Sequence, residues 1–236
     1  MRSLFLFWRE ALRSPISTGA VGPSSPAVAR AMTAPLAHRC GPRTVLEVGP
    51  GTGALTEAIV ECLGSQDRLD LCEINPRFAS WLRKRFGGPQ RGGPSLKVLE
   101  GDVLQVAPGP YDFIISSVPC SNLSPDVVRS LLDGLLARLA PGGVLSCLHY
   151  RGQGIRSRLA RGAERERLRR VIAITRNFQR SYGLGKELVW LNIPPAEIHY
   201  LGREPATFPV DFLEPLRRKS KMDAFARRLF PVESKR

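Results

Sequence analysis

The sequence predicts an α/β fold: a mostly parallel sheet covered by helices on both faces, with an antiparallel hairpin at one edge. Three observations predict it. Apolar runs of strand length alternate with helical stretches over roughly a hundred residues, the pattern of a parallel sheet with helical crossovers. The residues with chemistry to offer, Gly49, Glu73, Asp102, Ser117 and Tyr150, all fall where those runs end, which is where open α/β sheets bind ligands. Past Tyr150 the composition shifts, and further strand-like runs are spaced for an edge hairpin.

In chain order, residues 1–13 read as a short amphipathic helix, with Leu4, Phe5, Phe7, Trp8 and Leu12 apolar and Arg2, Arg9 and Arg13 basic. Arg13-Ser14-Pro15 breaks it, because a residue before proline is pushed out of the helical region. Ser25 and Pro26 have the residue types of a helix cap and first helical position, predicting a helix to about Leu36. Thr44–Val48 is a strand leading into Gly49-Pro50-Gly51-Thr52-Gly53, and Leu55, Ile59 and Leu63 mark one face of the helix that follows. Arg68–Cys72 is the second strand and Pro76–Phe86 the second crossover helix. Leu96–Glu100 is the third strand, Tyr111–Ser117 the fourth, Pro125–Ala140 a helix stopped by Pro141-Gly142-Gly143, and Val144–Leu148 the fifth strand. Beyond it, Ile172–Ile174, Leu188–Leu191 and Ile198–Leu201 read as strand-like, and a basic helix is predicted in the tail around Phe225 and Leu229. The domain reading is residues 1–40 as amphipathic and capping helices, 41–205 as the α/β domain, and 206–236 as a basic tail.

Composition narrows the partners. Lys and Arg number 35 against 21 Asp and Glu, a net charge of +14, so the chain attracts polyanions, whether nucleic acid or an anionic bilayer. Residues 151–170 alone hold eight arginines and two glutamates. The five cysteines stand singly, with no ligand spacing, so no metal is expected and a reducing, cytoplasmic setting is. No apolar run approaches the roughly 20 residues that span a bilayer, so the expectation is a soluble or peripherally membrane-associated protein.

The glycine loop carries the chemistry. Glycines let the backbone turn sharply and pass close to a ligand. The spacing from Gly49 through Gly51 to Gly53 differs from the dinucleotide fingerprint, and no Lys follows as in a P-loop. Acids flank it: Glu47 precedes the glycines, and Glu73 ends the next strand, where a carboxylate accepts both hydroxyls of a ribose. Asp102 closes the third strand and reads either as a turn or helix-cap acid or as the acceptor of an adenine amine. Three acids in strand-end register favour the nucleoside.

These residues resemble the class I S-adenosylmethionine methyltransferases, with a Rossmann-like core over roughly residues 40–150. Val-Leu-Glu-Val-Gly-Pro-Gly-Thr-Gly, Glu73-Ile74-Asn75 and Gly101-Asp102 are similar to the branch holding rRNA adenine dimethyltransferases and bacterial phospholipid N-methyltransferases. The resemblance implies S-adenosylmethionine as cofactor, held by Glu47, Gly49, Gly51, Thr52, Gly53, Glu73, Asn75, Asp102 and Ser117. In the adenine enzymes an Asn-x-Pro-aromatic motif follows the fourth strand, receiving the amine and stacking on the base. Here Ser117-Val118-Pro119-Cys120 supplies neither amide nor ring, which counts against adenine. The N-terminus, Phe7-Trp8-Arg9-Glu10-Ala11-Leu12-Arg13-Ser14-Pro15 and then Gly19-Ala20-Val21-Gly22-Pro23-Ser24-Ser25, is similar to phospholipid and ornithine lipid N-methyltransferases.

That resemblance implies methyl transfer to the amine of a membrane lipid, phosphatidylethanolamine or an ornithine lipid, at an anionic membrane surface. A polar group must orient the amine or relay its proton, and the candidates are Tyr150, His149 and Ser117. The bland alternatives are a strand-end histidine for His149 and a packing ring for Tyr150. Two rivals stand beside this reading: an rRNA adenine N6-dimethyltransferase, which the basic charge suits, and a non-catalytic RNA-binding factor that keeps the fold.

Overall fold

A computed structural model describes residues 25–38, 41–88, 92–151, 157, 159–192 and 194–203. The expected helix at residues 1–13 and the basic tail from 206 lie outside the described residues. The chain opens with helix α1 (Pro26–Thr33), whose cap Ser25 accepts from the Val28 N–H with Pro26 at the first position, as the residue types predict; a 3-10 turn, Ala34–His38, follows. Then come β1 (Thr44–Val48), α2 (Ala54–Glu61), β2 (Arg68–Glu73), α3 (Pro76–Phe86), β3 (Ser95–Glu100), α4 (Val103–Val106) and β4 (Tyr111–Ser116). A 3-10 turn, Cys120–Asn122, leads to α5 (Pro125–Ala137), β5 (Leu139–Tyr150), α6 (Gly162–Tyr182), β6 (Gly183–Val189) and β7 (Ala196–Leu201).

The sheet has seven strands in the order β3-β2-β1-β4-β5-β7-β6. β1 to β5 are parallel; β7 is antiparallel to both its neighbours, so β6 and β7 form the expected edge hairpin. The strand order reverses beside β1, which opens a crevice at the carboxyl ends of β1 and β4. Strand alternation sorts the core into two layers. Val45, Leu69, Leu71, Phe113 and Ile115 pack under α1, α2 and α3. Leu46, Val48, Ile114, Leu145 and Cys147 pack under α4, α5 and α6. Each fully buried Leu or Ile contributes about 1.5–3 kcal/mol.

Three expectations fail. The helix expected over Pro125–Ala140 ends at Ala137, and Pro141-Gly142-Gly143, read as its stop, lies inside β5, which begins at Leu139. Ile172–Ile174 is not a strand but the middle of the 21-residue α6. The β-branched cluster is local, and the helix is decided by Leu168, Val171 and Phe178, which recur at helical spacing and pack on the α5 side. Arg167 fastens α6 elsewhere: its guanidinium donates to the carbonyls of Leu123 (2.6 Å) and Ser121 (2.9 Å), in the turn after β4. Trp190 and Leu191, expected in a strand, stand in the β6–β7 turn, 60% and 69% exposed. Cys72, Cys120 and Cys147 are buried thiols and Cys62 is exposed. Among the described residues no helix is long and apolar enough to cross a membrane.

Candidate active site

The turn from β1 into α2 is drawn tight by the Gly53 N–H donating to the Pro50 carbonyl at 2.9 Å. Gly49, Gly51 and Gly53 all have positive φ, where L side chains are strained. Their surroundings differ. A Cβ on Gly53 would sit 2.6 Å from the Phe86 ring, so this glycine lets α3 pack onto the loop. A Cβ on Gly49 would press on Val118 at 3.3 Å. A Cβ on Gly51 would meet nothing within 4 Å, so Gly51 borders open space that a side chain would fill.

Glu73 reaches that space. Its Oε2 accepts from the Gly51 N–H at 3.0 Å and its Oε1 from the Asn75 N–H at 2.8 Å. Burial pushes its carboxyl above the usual range, opposed by those backbone donors. Glu47 lies deeper. One oxygen accepts from the Thr56 hydroxyl at 2.6 Å; the other is buried with no partner among the described residues. Burial raises the Glu47 carboxyl to about 8, with a smaller push from Glu73.

Asn75 and Asp102 both serve as helix caps. Asn75 Oδ1 accepts from the Arg77 N–H at 2.9 Å, and Asp102 Oδ1 accepts from the Leu104 N–H at 3.0 Å, starting α3 and the single turn α4. Asp102 keeps its second oxygen for another donor. The Gly101 N–H donates to the Glu73 carbonyl at 2.9 Å, which sets the ends of β3 and β2 side by side. The Thr52 carbonyl is taken by Trp81 and Arg85 of α3, so it turns from the cleft. Ser117 donates its hydroxyl to the Gly49 carbonyl at 2.9 Å and joins the end of β4 to the glycine loop.

Glu47, Gly49, Gly51, Gly53, Glu73 and Ser117 are thus brought together by direct bonds and shared turns. Tyr150 and His149 part company, because neighbours on a strand face opposite ways. Tyr150 packs half-buried with the α1 layer, and burial holds its hydroxyl proton more firmly than usual. His149 faces α6, its ring 4.4 Å from that of His199, and burial with that neighbour lowers it to about 3. Thr56, which holds Glu47, was missed: it lies nine residues past the acid, on the helix after the loop, and its only signal is a hydroxyl on the buried face.

The residues fit S-adenosylmethionine. Space borders Gly51, and the Glu73 carboxylate at its edge can accept the hydroxyls of a ribose, whereas Glu47 is sealed beneath Thr56 away from that space. Among the described residues no cluster of three His, Cys, Asp or Glu could hold a metal.

Residues 46–145 match the family described as methyltransferase domain. Over 153 residues the chain is 28% identical to an ornithine lipid N-methyltransferase of Singulisphaera acidiphila, covering 62% of this chain and 77% of that one. Over 97 residues it is 35% identical to a probable ribosomal RNA small subunit methyltransferase A of Methanospirillum hungatei, covering 41% of this chain and only 36% of the relative. Among solved structures, an O-methyltransferase from Bacillus cereus in complex with SAH matches with a TM-score of 0.57 at 14% identity, over 84% of this chain and 91% of that one, a likeness of fold.

Proposed function

We propose that this chain, a class I S-adenosylmethionine-dependent methyltransferase by fold and by domain, transfers methyl groups to the amine headgroup of a membrane lipid, phosphatidylethanolamine or an ornithine lipid. The observation that carries the proposal is the corner after β4. Ser117 spends its hydroxyl on the Gly49 carbonyl, Val118 is buried, and Cys120 is buried where an adenine enzyme needs a stacking ring. The corner therefore offers an extruded base neither an amide nor a flat surface. The span of the relatives agrees: the rRNA match is 97 residues long, whereas the lipid match runs to 153.

The edge hairpin supplies a surface for lipid. β6 runs in the same sense as β5, so its turn lies at the same edge of the sheet as the glycine loop. There Trp190 and Leu191 are exposed, with the Arg151 guanidinium 5.0 Å from the Trp190 ring centroid. An indole and an aliphatic side chain beside arginine suit the boundary between headgroups and acyl chains. The sequence of residues 1–13, which lie outside the described part, mixes apolar and basic side chains suited to the same boundary.

S-adenosylmethionine supplies a methyl group on a sulfonium, open to in-line displacement by a neutral nitrogen. Glu73 would hold the ribose hydroxyls, Asp102 the adenine amine, and the glycine loop would admit the methionine end. Ser117 positions the loop. Tyr150 orients the acceptor amine, its firmly held proton suiting it to hydrogen bonding rather than to acting as a base.

The test is to incubate the protein with labelled S-adenosylmethionine and either anionic liposomes containing phosphatidylethanolamine or ornithine lipid, or ribosomal RNA. Label in lipid is expected; label in RNA alone overturns the reading. The second reading, an rRNA adenine dimethyltransferase, rests on the 35% identical relative and the +14 charge, and the same assay reads it. Trp190→Ser with Leu191→Ser is expected to reduce vesicle co-sedimentation several-fold at unchanged donor affinity.

A further inference from the structure

The apolar stripe of α6, Leu168, Val171 and Phe178, is buried in the core as on most covering helices. Beside that stripe, Ile172, Thr175, Arg176, Gln179 and Arg180 share a second helical face, on which Arg176 and Arg180 are exposed, and they border an open cavity of about 470 Å³. The opposite wall belongs to β5, β7 and β6. Its floor is the pair His149 and His199, whose rings lie 4.4 Å apart and tilted by 35°. Arg151 and Lys186 complete the rim, and Glu197 is the one carboxylate on it.

The charges on this cavity do not cancel. Glu197 accepts from Lys186 Nζ at 2.7 Å and lies 3.3 Å from His199 Nε2, so its charge is already answered. Arg151, Arg176 and Arg180 have no carboxylate within ion-pair distance among the described residues. Three guanidiniums without a carboxylate partner line one hollow, Arg151 leaning also on the Trp190 ring, and an oxyanion set between them relieves their repulsion while matching their forked donors. Neutral His149 on the floor adds one ring N–H donor, while that of His199 faces Glu197. The volume is that of a small-molecule site. The cavity lies under α6, across the sheet from the α2 that follows the glycine loop, so it is separate from the donor cleft.

We propose that this cavity binds a phosphate group, carried by a free small ester or by a lipid headgroup. The inference does not depend on which acceptor is methylated. The probes are inorganic phosphate and glycerophosphoethanolamine, titrated calorimetrically into the full chain and followed by the imidazole resonances of His149 and His199. Saturable binding with movement of both imidazoles is expected. Tighter binding of the glycerol ester assigns the phosphate to a headgroup; tighter binding of inorganic phosphate assigns it to a free anion; either supports the site. In Arg176→Gln/Arg180→Gln the affinity is expected to fall at least tenfold, with the affinity for S-adenosylhomocysteine unchanged. No saturable binding of either probe, imidazoles that do not move, or an undiminished affinity in a double variant that keeps its donor site each overturns the proposal. Binding of an RNA oligonucleotide with neither small probe bound overturns it as well.

Discussion

Over β1 and β2 the covering helices close down on the sheet: α3 sets Phe86 and Leu82 where a Cβ on Gly53 would be, and α2 seals Glu47 beneath Thr56. Over β7 and β6 the covering helix does the reverse. Beside its buried Val171 and Phe178 it leaves Arg176, Gln179 and Arg180 on the wall of a hollow open to water. One sheet therefore carries a tight half built on backbone turns and buried acids, and a loose half lined by long cations. Tight packing fixes a ligand's shape; long basic side chains select only its charge.

The sharpest way to break this contrast is at Gly53. Gly53→Ala forces a Cβ into the Phe86 ring at a residue with φ of 86°, and about 2–4 kcal/mol of stability should be lost in urea unfolding. Gly162→Ala, at positive φ with nothing within 4 Å, should cost only about 1 kcal/mol of backbone strain. Equal losses would mean that the two halves are packed alike.

Next in size is Glu73→Ala, which should weaken S-adenosylhomocysteine binding more than tenfold by calorimetry, with Glu73→Gln intermediate. Unchanged affinity would remove the ribose from this edge of the cleft.

Glu47 gives a pH signature. Its folded carboxyl is raised to about 8 from an ordinary 4.5, so the folded state holds a proton that the unfolded chain releases. That contribution is complete below about pH 4.5 and is lost as pH rises through 8. Glu47→Gln should leave the thermal midpoint of the ligand-free protein unchanged near pH 4.5 and raise it progressively toward pH 8. A difference that does not vary with pH would rule this out. The smallest effect belongs to the loose half. Arg176→Leu/Arg180→Leu should stabilise the fold by about 0.5 kcal/mol in urea, since apolar groups replace mutually repelling ones. A loss of stability would mean that those arginines hold α6 in place.

The tight half could be read from the chain because its chemistry is local. A strand, three glycines and an acid occupy Glu47 to Gly53, and Glu73 ends the next strand, so spacing along the sequence becomes spacing in the fold. Asp102 shows the limit: both of its readings were open, and the structure spends one oxygen on the cap and leaves the other. The loose half hides for two reasons. Val171 to Thr175 is rich in β-branched residues and imitates a strand until Leu168 and Phe178 are counted with it at helical spacing. The cavity also joins residues from four elements, and nothing near His149 announces His199, fifty positions away. Counting from Ile172 to Arg180 at helical period would have exposed a basic face beside the apolar stripe.

Arg167 gives α6 a mechanical role. The helix is a rod about 30 Å long. Near one end Arg167 grips the Ser121 and Leu123 carbonyls in the turn after β4; toward the other its arginines border the hollow. With Val171 and Phe178 buried between those points, one rigid element joins the corner after β4 to the wall of the hollow.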